Sequence, residues 1–229
     1  MAEPVVAALW RGAMLAAALV IGCAPPPAAV EANTAPTPTA PDSVAARLLA
    51  DVRDIDSTIR VEARYHTSNN FTGAPLAGYH ANRALLRHEA AVALGKVQRR
   101  LAPQGLGLLV YDGYRPVRAT LAMVDWAERT GRVSLLDDGY IARRSRHNMG
   151  VAVDLTVVSL ATGAPLDMGT PFDTFDASAH TANATGEVAR NRSVLVEAME
   201  AEGFVNYQQE WWHFSFEVAD PVPFDVPVR

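Results

Sequence analysis

Alternating apolar and polar positions predict four strands along this chain. Val151, Val153, Leu155 and Val157 interleave with Ala152, Asp154, Thr156 and Val158. That period of two, with apolar residues on both faces, predicts a buried strand. Leu106, Leu108 and Val110 predict another, running into Asp112-Gly113-Tyr114-Arg115-Pro116. Ile59, Val61, Ala63 and Tyr65 alternate with Arg60, Glu62, Arg64 and His66, the pattern of a half-exposed strand. The aromatic run from Trp211, WWHFSFEV, predicts the fourth, reached from Val205–Tyr207 through Gln208-Gln209. Helical spacing covers residues 83–102, with Leu86, Ala90, Ala93, Val97 and Leu101 on one face, and 187–202, with Val188, Leu195 and Met199 inward. Pro116 opens a further helix that ends at Gly131. Apolar positions 44, 48, 49 and 52 predict a short helix over 43–54. Residues 69–79 and 176–185 read as loops, and the proline-rich tail 219–229 as irregular.

This irregular spacing of helices and strands, with no Gly-rich phosphate loop, disfavours a doubly wound sheet. It predicts an α+β domain: a small, mainly antiparallel central sheet flanked by helices.

The N-terminus reads differently. Residues 13–22, AMLAAALVIG, form an apolar run after Arg11, shorter than a membrane span. We read 1–22 as an export segment. Val20-Ile21-Gly22-Cys23 resembles a lipobox, which makes Cys23 the expected site of a lipid anchor and the periplasm or cell envelope the expected location. Cleavage near Ala28-Ala29 and a retained membrane anchor are the alternatives. Residues 24–41, rich in Pro, Ala and Thr, form a tether, leaving 42–229 as the folded domain. The single cysteine excludes an intramolecular disulfide. A net charge of −5 without a basic stripe argues against nucleic acid as a partner.

Chemistry concentrates in two short stretches. Ser145 to Asp154, SRHNMGVAVD, places His147 and Asp154 seven residues apart across Gly150, which permits a tight turn into the strand. A carboxylate inside so apolar a run is costly unless it is paired or metal-bound. Glu210-Trp211-Trp212-His213 adds a second imidazole and carboxylate, with Glu210 in the bend before its strand. His147, Asp154 and His213 make a three-ligand catalytic zinc set, and Glu210 is placed to act as base. Two His and one Asp suit other divalent metals as well.

SRHNMGVAVD together with EWWH resembles the zinc D-alanyl-D-alanine dipeptidases, the VanX-type enzymes of peptidase family M15. The resemblance extends from about Asp54 to the C-terminus through RYHTSNNFTG, DGYRP and PLDMGTPFD. It implies one zinc per chain and free D-Ala-D-Ala as the small-molecule substrate. Arg115 of DGYRP would stabilise charge on the carbonyl oxygen under attack, a task suited to a permanently charged guanidinium. Tyr65, Ser145 and Asp173 would hold the substrate's amino end. Two features depart from the pattern. Residues 132–144 are shorter than their counterpart, and Met149 stands where relatives often carry a basic residue.

Two other readings remain open. A D,D-carboxypeptidase or cell-wall endopeptidase would use the same zinc but need an open groove for a longer peptide. A non-catalytic zinc-containing envelope protein would need neither Glu210 nor Arg115. The physiological alternatives are glycopeptide resistance and turnover or scavenging of cell-wall D-alanine.

Overall fold

A computed structural model describes residues 39–229, together with Met1. The export segment, Cys23 and residues 24–38 of the tether lie outside the described residues. Residues 39–229 belong to a single compact unit. Among the described residues, no helix is long and apolar enough to cross a membrane.

The elements are α1 (Asp42–Leu48), β1 (Leu49–Asp51), α2 (Val52–Ile55), β2 (Arg60–Val61), β3 (Leu85–Arg87), α3 (His88–Leu101), β4 (Leu106–Asp112), α4 (Val117–Arg129), α5 (Ser134–Asp137), β5 (Ala152–Ser159), α6 (Gly186–Glu200), β6 (Phe204–Asn206) and β7 (His213–Phe216). Five strands form the central sheet in the order β2-β4-β5-β7-β6, and every pairing except the parallel β2–β4 is antiparallel. This is the α+β architecture expected from the sequence.

Strand β5 is buried along nearly its whole length because both faces are covered. Val153, Leu155 and Val157 join Leu108 and Val110 of β4 in one core with Leu94, Val97 and Leu101 of α3 and Leu195 and Met199 of α6. The other face carries Asp154 and Thr156 towards loops and cavities. The β4–β5 register shifts between Val110, opposite Leu155, and Asp112, opposite Asp154. Tyr111 is the extra residue. Such a bulge re-aims the side chains beyond it, and here it brings Asp112 onto the face of Asp154.

Three local expectations are corrected. The helix expected over 43–54 is split into α1, β1 and α2. Leu49–Asp51 pairs with Leu85–Arg87, so the helix expected from residue 83 also begins later, at His88. Pairing between distant segments outweighs helical spacing in both places, and Asp51 then caps α2 by accepting a hydrogen bond from the Arg53 amide at 2.9 Å. The strand expected over 59–66 is only Arg60–Val61. The amide of Ala63 donates to the Asn82 side chain at 2.8 Å, and Arg64–His66 form a 3-10 turn that carries Tyr65. The tail is irregular, yet it buries Phe224 and bridges Val228 to Tyr79.

Candidate metal centre and substrate cavity

His147 lies in a 3-10 turn, Arg146–Met149, immediately before β5. Ser145 caps that turn by accepting from the His147 amide at 3.2 Å, and Asn148 accepts from the Ser145 amide at 3.2 Å. Gly150 closes it with φ of 68°. A Cβ there would crowd Leu49 Cδ2 at 2.6 Å and the Arg87 backbone nitrogen at 3.2 Å, and the positive φ itself favours glycine. Asp154 follows in β5, directly opposite His213, the first residue of β7.

The result is a compact donor set. His213 Nδ1 lies 2.9 Å from Asp154 Oδ1 and 3.2 Å from His147 Nε2, which is 3.3 Å from Asp154 Oδ1. The Nδ1–H of His147 donates to the Gly113 carbonyl at 2.7 Å, which leaves the Nε2 lone pair facing the other two donors. Ligands about 2.0–2.1 Å from a tetrahedral zinc lie about 3.3 Å apart. The three separations, 2.9, 3.2 and 3.3 Å, are close to that spacing. These residues fit a zinc ion. Burial depresses the His213 pKa and favours the neutral, coordinating imidazole. Burial alone would raise Asp154, but the adjacent imidazoles outweigh it and hold the carboxyl well below its ordinary range.

Glu210 is buried, with Oε2 3.9 Å from His213 Nδ1. Burial, reinforced by the charges of Asp154 and Asp173, pushes its pKa well above the ordinary carboxylate value. Arg115 sits between the end of β4 and the start of α4. Its Nε and Nη2 donate to Asp112 at 3.0 and 2.8 Å, and Nη2 lies 3.7 Å from Asp154 Oδ2. Its guanidinium carbon is 5.0 Å from the centre of the Tyr65 ring. Arg115 therefore ties Asp112 to the turn and reaches the metal set as well.

Tyr65 and Asp173 come together from positions 108 residues apart, with the phenol donating to the carboxylate at 3.0 Å. Asp173 has φ of 62°, a left-handed backbone that Asp tolerates better than most residues. Burial, with the nearby Asp154 charge, raises its carboxyl well above the usual range. All eight residues singled out in the sequence line one cavity of about 290 Å³.

Some members of this arrangement escaped the sequence reading. Asp112 is buried, accepts from Tyr79 at 2.6 Å and from Arg115, and lies 3.5 Å from His147 Nδ1. The Gly113 carbonyl orients His147. Both belong to DGYRP, where an acidic residue ending an apolar strand was the available signal. Nothing in the sequence marks Tyr79.

Buried His147 and Asp154 with half-buried His213, beside a glutamate and an arginine in the wall of one cavity, define a metallopeptidase-type centre. The Peptidase_M15 family profile, described as D-ala-D-ala dipeptidase, matches residues 45–223. A D-alanyl-D-alanine dipeptidase of Enterococcus faecium is 39% identical over 189 residues, which is 75% of this chain and 93% of the relative. One from Streptomyces coelicolor is 38% identical over 197 residues, 78% of this chain and 97% of the relative. The solved vancomycin-resistance D,D-dipeptidase VanXYg, in complex with a D-Ala-D-Ala phosphinate analogue, aligns with TM-score 0.40 and 16% identity over 76% of this chain and 68% of that one, too distant to carry an argument. The chain belongs to the D-ala-D-ala dipeptidase family, and it is a metallopeptidase.

Proposed function

We propose that this protein hydrolyses free D-Ala-D-Ala to two D-alanines, with one zinc per chain held by His147, Asp154 and His213. The observation that carries the reading is the pairing of a metal-type donor set with the Tyr65–Asp173 contact in one small cavity. Family membership supports it. When bound, zinc supplies Lewis-acid chemistry to the scissile carbonyl and to the attacking water. Glu210 takes the proton from that water and passes it to the leaving amine, a task that a raised pKa suits. Arg115, permanently charged and anchored by Asp112, donates to the oxygen on which charge develops. Asp173 and Tyr65 hold the ammonium end, with Ser145 as a further contact there. A blocked amine would leave the Asp173 carboxylate unpaired, which makes the free dipeptide the preferred substrate.

A second reading, a D,D-carboxypeptidase, is favoured by one observation. A larger cavity of about 650 Å³ shares Phe71 and Asp173 with the smaller one and offers room beyond the amino end. The test is a paired assay on the zinc-loaded protein with free D-Ala-D-Ala, its N-acetyl derivative and a longer peptide ending in D-Ala-D-Ala. Cleavage of the free dipeptide alone is expected. Equal cleavage of the blocked or longer substrates would move the protein to the carboxypeptidase class.

The apolar run before Cys23 supports a proposal about location: an exported domain, residues 42–229, tethered to a membrane by a lipid on Cys23. That placement favours turnover or scavenging of D-alanine over glycopeptide resistance, because wall precursors are assembled in the cytoplasm. Labelling with a lipid precursor in a wild-type and a Cys23→Ala strain tests the anchor, and equal labelling would contradict it.

A further inference from the structure

A free dipeptide carries a carboxylate as well as an ammonium, and the residues discussed so far leave the carboxylate without a partner. Apart from the histidines of the donor set, the cavity wall holds three cations: Arg115, Arg144 and Arg146. Arg115 is committed to Asp112 at 2.8 Å. Arg146 is committed to Glu217 at 2.7 Å and to the Phe216 carbonyl at 3.1 Å. Arg143, next in sequence though not in the wall, pairs with Glu128 at 3.0 Å. Arg144 is exposed and has no ion pair or hydrogen bond among the described residues. It is the uncommitted cation of this cavity.

Its place along the site fits the missing role. Asp173 touches Tyr65, and the Tyr65 ring lies beneath Arg115. Arg115 reaches Asp154, Asp154 lies against His147, and the His147 amide donates to the Ser145 hydroxyl. Arg144 is the next residue along. Arg144 and all three donors line the same cavity, and a long arginine side chain can reach into it from the rim. Guanidinium also matches a carboxylate in shape, because two of its N–H groups can meet both oxygens at once.

We propose that Arg144 binds the C-terminal carboxylate of the substrate and so makes the enzyme select a free acid at that end. This rests on the dipeptidase reading above. It extends that reading from recognition of one end of the substrate to recognition of both.

The experiment compares D-Ala-D-Ala with D-Ala-D-alaninamide, which lacks the terminal charge, on the zinc-loaded full chain and on Arg144→Gln and Arg144→Lys. For the free acid, Arg144→Gln is expected to raise KM roughly tenfold to hundredfold, the range of a hydrogen bond to a charged group, and to change kcat much less. The amide should be a poor substrate for the wild type and be unaffected by the substitution. Arg144→Lys should restore part of the loss, since it returns the charge but not the fork. Calorimetric binding of D-Ala-D-Ala to Glu210→Gln, with and without Arg144→Gln, should show the same loss of affinity without turnover. Equal KM values in wild type and Arg144→Gln, or equal losses on acid and amide, would overturn the assignment. A wild type that does not cleave D-Ala-D-Ala would overturn the dipeptidase reading itself, an outcome separate from these.

Discussion

The two ends of the cavity are built in different ways. The metal donors stand on or beside regular elements: Asp154 within β5, His213 at the head of β7, and His147 on a capped turn braced by the Gly113 carbonyl. The amino-end contact stands on irregular backbone. Tyr65 sits in a 3-10 turn, and Asp173 sits in a left-handed loop position. A metal centre needs its ligands fixed to within a fraction of an ångström, which paired strands provide. A charged end of a substrate is selected by pairing, and a loop can supply that. The metal end should therefore respond to substitution as a unit, whereas the amino end should respond by substrate.

The largest effect is expected from His213→Ala, which removes a donor from the rigid end. Both bound zinc and turnover should be lost, as read by metal analysis and hydrolysis of D-Ala-D-Ala. A variant that retained full zinc and activity would break the comparison at once. Next comes Glu210→Ala. It should keep the zinc and lower kcat by about 10²–10⁴-fold, the scale of a missing general base. Loss of metal in this variant would make Glu210 part of the donor set. Asp173→Asn sharpens the contrast at the loop end, because Asn also tolerates the left-handed backbone. KM for the free dipeptide should rise roughly tenfold or more, with zinc content and kcat little changed. A fall in kcat and in bound zinc with KM unchanged would assign Asp173 to the loop rather than to the ammonium.

The smallest effect lies away from the site. Burial alone would raise the Asp51 carboxyl, but the hydrogen bond from Arg83 at 2.7 Å, the Arg53 amide and the two guanidinium charges outweigh it, so it titrates below its ordinary 3.8. A depressed carboxyl stabilises the fold above its unfolded pKa, and that contribution disappears as the pH falls through the folded pKa. Asp51→Asn keeps a capping oxygen and removes the charge. It should cost about 0.5–1 kcal/mol in denaturant titrations near neutrality, with the gap from wild type closing below pH 3.8. A gap independent of pH would show that packing, not charge, is what Asp51 contributes.

The same contrast explains what was legible in the sequence. Strand β5, its buried aspartate and the histidine beyond Gly150 follow from a period of two broken by a carboxylate. The helices of the core follow from their apolar faces. By contrast, β1 and β3 are hidden inside helical spacing, because only their mutual pairing, 34–38 residues apart in register, makes them strands. The alternation of its neighbours predicts a strand at Tyr65, whereas a side-chain acceptor on Asn82 turns the backbone aside. The union of Tyr65 with Asp173 has no periodic signature, and only resemblance pointed to it. Asp112 reaches the site through a one-residue bulge at Tyr111, a feature that alternation does not reveal.

The most direct test of the account measures zinc content and D-Ala-D-Ala hydrolysis on the same preparation, before chelation, after chelation and after zinc is returned. The account predicts one zinc per chain in the active protein, loss of turnover in step with the metal, and recovery on reloading. Undiminished hydrolysis by the zinc-free protein would contradict it.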